Sequence, residues 1–130
     1  MARHIYYPDR GDFVHLNCSP SAGREMADRH FAIVISTASF SRTTGFAVIC
    51  PITSTVRPWP LFVLVPKGIL PPKQGVGVES VIATDQVKSV DWREREVEFV
   101  VKAPDEILDE VLGRVRAIID SDDVMEELGG

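Results

Sequence analysis

A chain of 130 residues with 45% hydrophobic content suits one compact domain with a single core and leaves no room for a second. No apolar run reaches the ~20 residues of a membrane span, and residues 1–10 (MARHIYYPDR) lack the apolar stretch of a secretory signal, so a cytoplasmic protein without a membrane partner is expected. The net charge of −5 argues against a nucleic-acid partner only until its distribution is read: Asp120, Asp122, Asp123, Glu126 and Glu127 lie in the last eleven residues, and the rest of the chain sets 14 acidic residues against 14 basic ones.

In chain order the sequence reads as short strands separated by turn chemistry. Residues 11–18 alternate Asp12, Val14 and Leu16 with Phe13, His15 and Asn17, the pattern of a half-buried strand. Residues 31–36 (FAIVIS) and 46–52 (FAVICPI) are continuous apolar runs that suit central strands. Residues 61–66, 77–83 and 97–101 complete a set of about six strands. Helical periodicity is strong in one place, where Ile107, Leu108, Val111, Leu112, Val115, Ile118 and Ile119 recur at spacings of three and four. Pro104 suits the first turn of that helix, Asp105 and Glu106 suit its positive end, and Gly113 within it suggests a close packing contact. Residues 121–130 are expected to be a solvated, partly frayed acidic tail.

Cys18 and Cys50 form no CxxC pair, and no histidines stand at metal spacing, so both thiols read as small core groups and neither metal nor cofactor is expected. Two loops stand out. Residues 19–30 (SPSAGREMADRH) are long for a hairpin connection, which favours a binding role. Residues 54–60 (STVRPWP) hold Arg57 and Trp59 between prolines, either as a hydrophobic plug or as a platform for an unpaired base.

Six short motifs follow one another in order. They are Pro8-Asp9-Arg10-Gly11-Asp12, Pro20-x-x-Gly23-x-Glu25, the strand Ala32 to Ser36, Thr43-Thr44-Gly45, Pro51-Ile52-Thr53-Ser54, and the most specific, Asp85-Gln86-Val87-Lys88-Ser89-Val90-Asp91-Trp92-Arg93. Across about residues 6–120 the chain resembles the MazF/PemK toxins. The resemblance implies a mainly β fold, an SH3-like small β-barrel of the kind shared with the CcdB gyrase poisons, with a C-terminal α-helix. It divides the chain into a toxin domain over residues 1–120 and the acidic tail over 121–130. It further implies a homodimer that cleaves single-stranded RNA, is neutralised by an acidic antitoxin, and meets double-stranded DNA only through that antitoxin.

In that family the chemistry depends on an Arg at the end of the first long loop and a Thr at the end of the third strand. Thr53 matches the Thr. Where the family commonly reads [HR]-R-P-A, this chain reads Arg29-His30-Phe31-Ala32, so His30 occupies the Arg-bearing position. Strand alternation sends Arg29 and His30 to opposite sides, and the sequence leaves open whether His30, Arg29 or neither faces a site. Two further departures bear on substrate choice: Asn17-Cys18-Ser19-Pro20 stands where D-F-D-P is frequent, and Pro58-Trp59-Pro60-Leu61-Phe62 where G-Y-P-F-E is.

A metal-free ribonuclease must deprotonate a 2′-hydroxyl, stabilise a pentacoordinate phosphate and protonate the leaving 5′-oxygen. An imidazole such as that of His30 can be charged or neutral at working pH, and Arg29 offers a permanent fork for phosphate oxygens. Thr53 and Ser54 can donate to the same oxygens, and Glu25 can accept a proton or orient the Arg. Ser36, Arg57, Trp59, Gln86 and Lys88 complete the candidate RNA-binding set, with Gln86 a two-way amide for base edges and Lys88 a phosphate contact. Asp85 and Ser89 suit capping or turning the chain as well, with Lys88 paired to Asp85 or Glu79. His4 and His15 read as surface or packing residues, and Trp92 as packed against the C-terminal helix or a dimer partner. Besides the nuclease, a gyrase-binding toxin on the same barrel and an inactive antitoxin-binding relative stay open.

Overall fold

The computed structural model describes residues 5–17, 29–71 and 79–129. Among them the elements run β1 Asp12–Asn17, β2 Arg29–Val34, α1 Ala38–Thr44, β3 Phe46–Thr53, β4 Phe62–Val65, β5 Ser80–Ala83, β6 Lys88–Asp91, β7 Glu98–Lys102, α2 Asp105–Asp120 and α3 Val124–Glu127. The seven strands form an antiparallel sheet in the order β4-β5-β3-β2-β1-β7, with β6 also beside β3, curled into a half-barrel. The expected motif around Gly23 and Glu25, Cys18, His4, most of the loop before Arg29 and the start of the strand expected from residue 77 lie outside the described residues.

The central strands carry apolar groups on both faces, because both faces are covered. On one side Phe13, Ile33, Cys50, Ile52, Val63, Val65 and Ile82 pack with Val111 and Val115 of α2. On the other, Val14, Leu16, Ala32, Val34, Ala47 and Ile49 pack with Val90, Trp92 and Val97. The continuous apolar runs behave as expected of central strands. The reading of β1 as half-buried is corrected: Asp12 and Asn17 are only 4% and 8% exposed. Polar residues survive there because they are satisfied, Asp12 accepting from the Tyr6 hydroxyl, the Asp9 amide and Lys102 Nζ.

Four other expectations change. The helix α1 was hidden from periodicity because it has seven residues and buries only Ser41; its signals are its ends, where Thr37 caps the Phe40 amide and Gly45 takes φ 80°. Segment 88–91 is a strand, register-paired as Ala47 with Val90 and Ile49 with Lys88. Trp92 does not pack on the C-terminal helix: it sits on the opposite side of the sheet from α2, donates Nε1–H to the Ser41 carbonyl at 2.9 Å and meets Tyr7 edge-on. A Cβ on Gly113 would meet nothing within 4 Å, so that glycine marks no close contact. Within the acidic tail, Asp123 caps the single turn α3 by accepting from the Glu126 amide.

Candidate nucleic-acid interface

The site begins where the β2–β3 ladder ends. The β2–β3 ladder runs Val34–Ile49, Ile33–Cys50, Ala32–Pro51 and stops there. The proline does not cause this end: Val48 gives its carbonyl to the Ile35 amide, so Val48, Cys50 and Ile52 are the residues of β3 whose backbone groups face β2, and the N–H that Pro51 lacks would point to the other edge. Past Pro51, Ile52 and Thr53 are held from the other edge of β3, by Ile82 and Val81 of β5. Beyond the Ala32–Pro51 pair no β2 partner is assigned to Thr53, and a groove of about 340 Å³ lies there.

Its lining includes His30, Pro51, Thr53, Ser54, Gln86 and Lys88, together with Phe31, Ile52, Leu70, Pro71 and Ser80. His30 and Thr53 belong together by register: two residues beyond Ala32–Pro51 in the same ladder the pair would be His30 and Thr53, and such cross-strand partners point to one face. The Thr53 hydroxyl oxygen accepts from the Thr55 amide at 3.2 Å, which leaves its O–H to donate. Lys88 enters at the first residue of β6 and, among the described residues, makes no ion pair with a carboxylate. Apart from His30 and Lys88, no charged or titratable side chain is among the described lining residues, and none is acidic. Such a surface attracts an anion and offers hydroxyl and amide donors to its oxygens.

Arg29 lies elsewhere. Its pairing with Asn17 puts it on the face opposite His30, whose β1 partner is Leu16. There the guanidinium donates to His15 Nδ1 at 3.2 Å, Asn17 Oδ1 at 3.0 Å and Glu98 Oε1 at 2.7 Å. Its side chain is 13% exposed. Because Arg29 Nε donates to Nδ1, the neutral His15 ring carries its proton on Nε2.

Ser36 is also outside the groove: its Oγ accepts from the Val48 amide at 2.8 Å and continues the β2–β3 association where the ladder frays. Arg57 and Trp59 are not among the lining residues either; they stand in the loop that follows Ser54. Arg57 stacks on Trp59 and Phe62 with its guanidinium carbon 5.5 and 5.1 Å from the two ring centres. Glu25 lies outside the described residues. Phe31, Pro51, Ile52, Leu70, Pro71 and Ser80 were not foreseen as lining; Phe31 stood in the quoted Arg29-His30-Phe31-Ala32 and Pro51 and Ile52 in the quoted Pro51-Ile52-Thr53-Ser54, whereas Leu70, Pro71 and Ser80 carried no sequence signal.

Cys50 is buried, and burial first, with the Asp85 charge second, pushes its thiol up to about 12. It is a core group and not a nucleophile at neutral pH. Among the described residues no three potential metal ligands cluster, and no helix is long and apolar enough to cross a membrane.

A family model described as a PemK-like, MazF-like toxin of type II toxin–antitoxin systems matches residues 9–119. The endoribonuclease toxin MazF of Escherichia coli strain K12 is 31% identical over 90 residues, covering 69% of this chain and 74% of its own. The endoribonuclease PemK of Escherichia coli is 28% identical over 113 residues, covering 85% of this chain and 81% of its own. Among solved structures, MazF of Deinococcus radiodurans superposes with a TM-score of 0.72 at 36% identity, covering 88% of this chain and 98% of that one. A MazE–MazF complex from the same organism gives 0.73 at 32% identity, with 89% and 98% covered.

Proposed function

Because the chain belongs to the PemK-like, MazF-like toxin family of type II toxin–antitoxin systems, we propose that it is a metal-independent endoribonuclease that cuts single-stranded RNA at selected sequences by attack of the 2′-hydroxyl. The assignment as an endoribonuclease toxin rests on that family and on the relatives named for the activity. They favour it over gyrase binding.

The observation that carries the mechanism is the union of His30 and Thr53 in one groove with no carboxylate among its described lining residues. A single imidazole and one ammonium are poor ligands for a divalent cation but good partners for a phosphate. In the reaction the 2′-oxygen bonds to phosphorus while the P–O5′ bond breaks, leaving a cyclic phosphate and a 5′-hydroxyl. The proton lost by the 2′-oxygen and the proton gained by the 5′-oxygen pass through His30 and solvent. Thr53 and Ser54 donate to the non-bridging oxygens, and His30 in its charged form balances their developing charge. Lys88 holds a flanking phosphate and Gln86 reads a base edge.

Arg29 takes a positioning role in this reading, since its donors are engaged on the opposite face. The partners are a second copy of the chain and an acidic antitoxin, which a related MazE–MazF complex supports; contact with double-stranded DNA comes only through that antitoxin. The family match ending at residue 119 fits a toxin domain over 1–120 with an acidic tail beyond it, acting in the cytoplasm where messenger RNA is found.

The test is incubation of the dimer with long single-stranded RNA in excess chelator. Fragments with 5′-hydroxyl ends are expected. Intact RNA would overturn the reading, and gyrase capture in the same assay would replace it with the binding toxin.

A further inference from the structure

Asp85 precedes the groove residue Gln86 and is itself absent from the lining; its carboxylate instead accepts the indole N–H of Trp59 at 3.0 Å. That bond joins the two chain segments that leave the groove, one running from Thr53 and Ser54 into the 54–61 loop and the other leading into Gln86 and Lys88. Trp59 is half-buried and Asp85 exposed, so the bond closes across the protein surface. Pro58 and Pro60 restrain the backbone on either side of Trp59. Arg57 completes the arrangement, stacked on Trp59 and Phe62 and, among the described residues, without a carboxylate partner.

A hydrophobic plug needs no such anchor, because apolar packing has no preferred rotation about the indole edge. Fixing Nε1 fixes the plane of the ring. An uncompensated guanidinium held on that plane adds a charge suited to phosphate and a flat cation suited to a nucleobase face.

We propose that Asp85 is a positioning residue for substrate selection: by holding Trp59, it makes the Arg57–Trp59 pair a rigid shelf on which one unpaired base, adjacent to the nucleotide in the groove, is stacked. The shelf rests on the ribonuclease reading above and adds a second subsite to it. Its contribution falls on binding and base choice, not on the chemical step.

The experiment uses short single-stranded oligonucleotides carrying 2′-O-methyl riboses throughout, so that binding is read without cleavage, with an abasic residue moved through each position in turn. With the wild-type dimer, one abasic position is expected to weaken binding by about 10-fold, the scale of one lost base stack. In Trp59→Ala and Asp85→Ala that position-specific penalty should vanish, and Asp85→Asn, which keeps an acceptor for the indole N–H, should restore it. On cleavable RNA the same alanine variants should raise KM with kcat nearly unchanged. A penalty that persists at full size in both alanine variants overturns the shelf while leaving the nuclease reading intact. Wild-type protein that neither binds these oligonucleotides nor cuts RNA overturns both.

Discussion

Arg29 Nη2 lies 2.7 Å from Glu98 Oε1, an ion pair that ties the first residue of β2 to the first residue of β7 across β1. The guanidinium also serves His15 and Asn17, so it braces three strands directly beneath the residue that enters the groove. Arg29→Ala should cost about 2 kcal/mol, because it strips a largely buried network of its donor. Glu98→Gln should cost less than about 1 kcal/mol, since its carboxylate is 69% exposed and screened. Urea denaturation of the two variants gives the comparison, and equal losses would count against a buried brace.

Thr53→Ala should lower the cleavage rate by about 10-fold or more while leaving the urea midpoint unchanged, following the scale for a lost donor to a developing oxyanion. The residue ends β3 half-buried, and the one described hydrogen bond of its hydroxyl is local, from the amide of Thr55. Unaltered cleavage in this variant would remove the hydroxyl from the chemistry.

His30→Arg distinguishes an imidazole that supplies charge from one that moves a proton. A guanidinium supplies charge but is a poor proton carrier, whereas an imidazole can do either. If charge is the limiting contribution, the variant retains cleavage. Loss of more than about 100-fold at every pH would assign the proton transfers to His30.

The Cys50 thiol, pushed up to about 12 from 9.0, binds its proton in the fold at pH values where the unfolded chain has released it. The folded state then holds more protons than the unfolded one, so stability is full below about pH 9 and falls as pH rises from there towards 12, on the order of 1 kcal/mol per pH unit. Melting curves of wild type and Cys50→Ala across that range should diverge, with the shallower decline in the variant. Parallel curves would contradict a buried protonated thiol.

Gly113→Ala should raise stability by about 0.5–1 kcal/mol, the helix-propensity difference, because the position is helical and a Cβ there meets nothing within 4 Å. A decrease in melting temperature would reveal a packing constraint on that face of α2.

The sequence carried the central strands and α2 well, because a run such as 46–52 and the spacing from Ile107 to Ile119 each extend over enough residues for pattern to outweigh local accident. It carried α1 and β6 poorly: seven and four residues give periodicity too little length, and α1 was marked only by Thr37 and Gly45. Of the candidate groove, Thr53, Ser54, Gln86 and Lys88 were legible through motifs, and His30 through its place in one. Leu70, Pro71 and Ser80 were not, since nothing local relates them to β2.

By itself the sequence determined the class of fold, the family resemblance and the fact that Arg29 and His30 must part company, because successive side chains on a strand point to opposite faces. Which of the two enters a groove was decided by tertiary structure alone. It depends on β1 and β7 supplying Asn17, His15 and Glu98 on one face to occupy the guanidinium, and on β3 losing its ladder at Pro51 on the other to leave His30 open beside Thr53. Those partners lie from 12 to 69 residues away along the chain, a distance over which a local pattern carries no information and only the pairing of strands brings groups together.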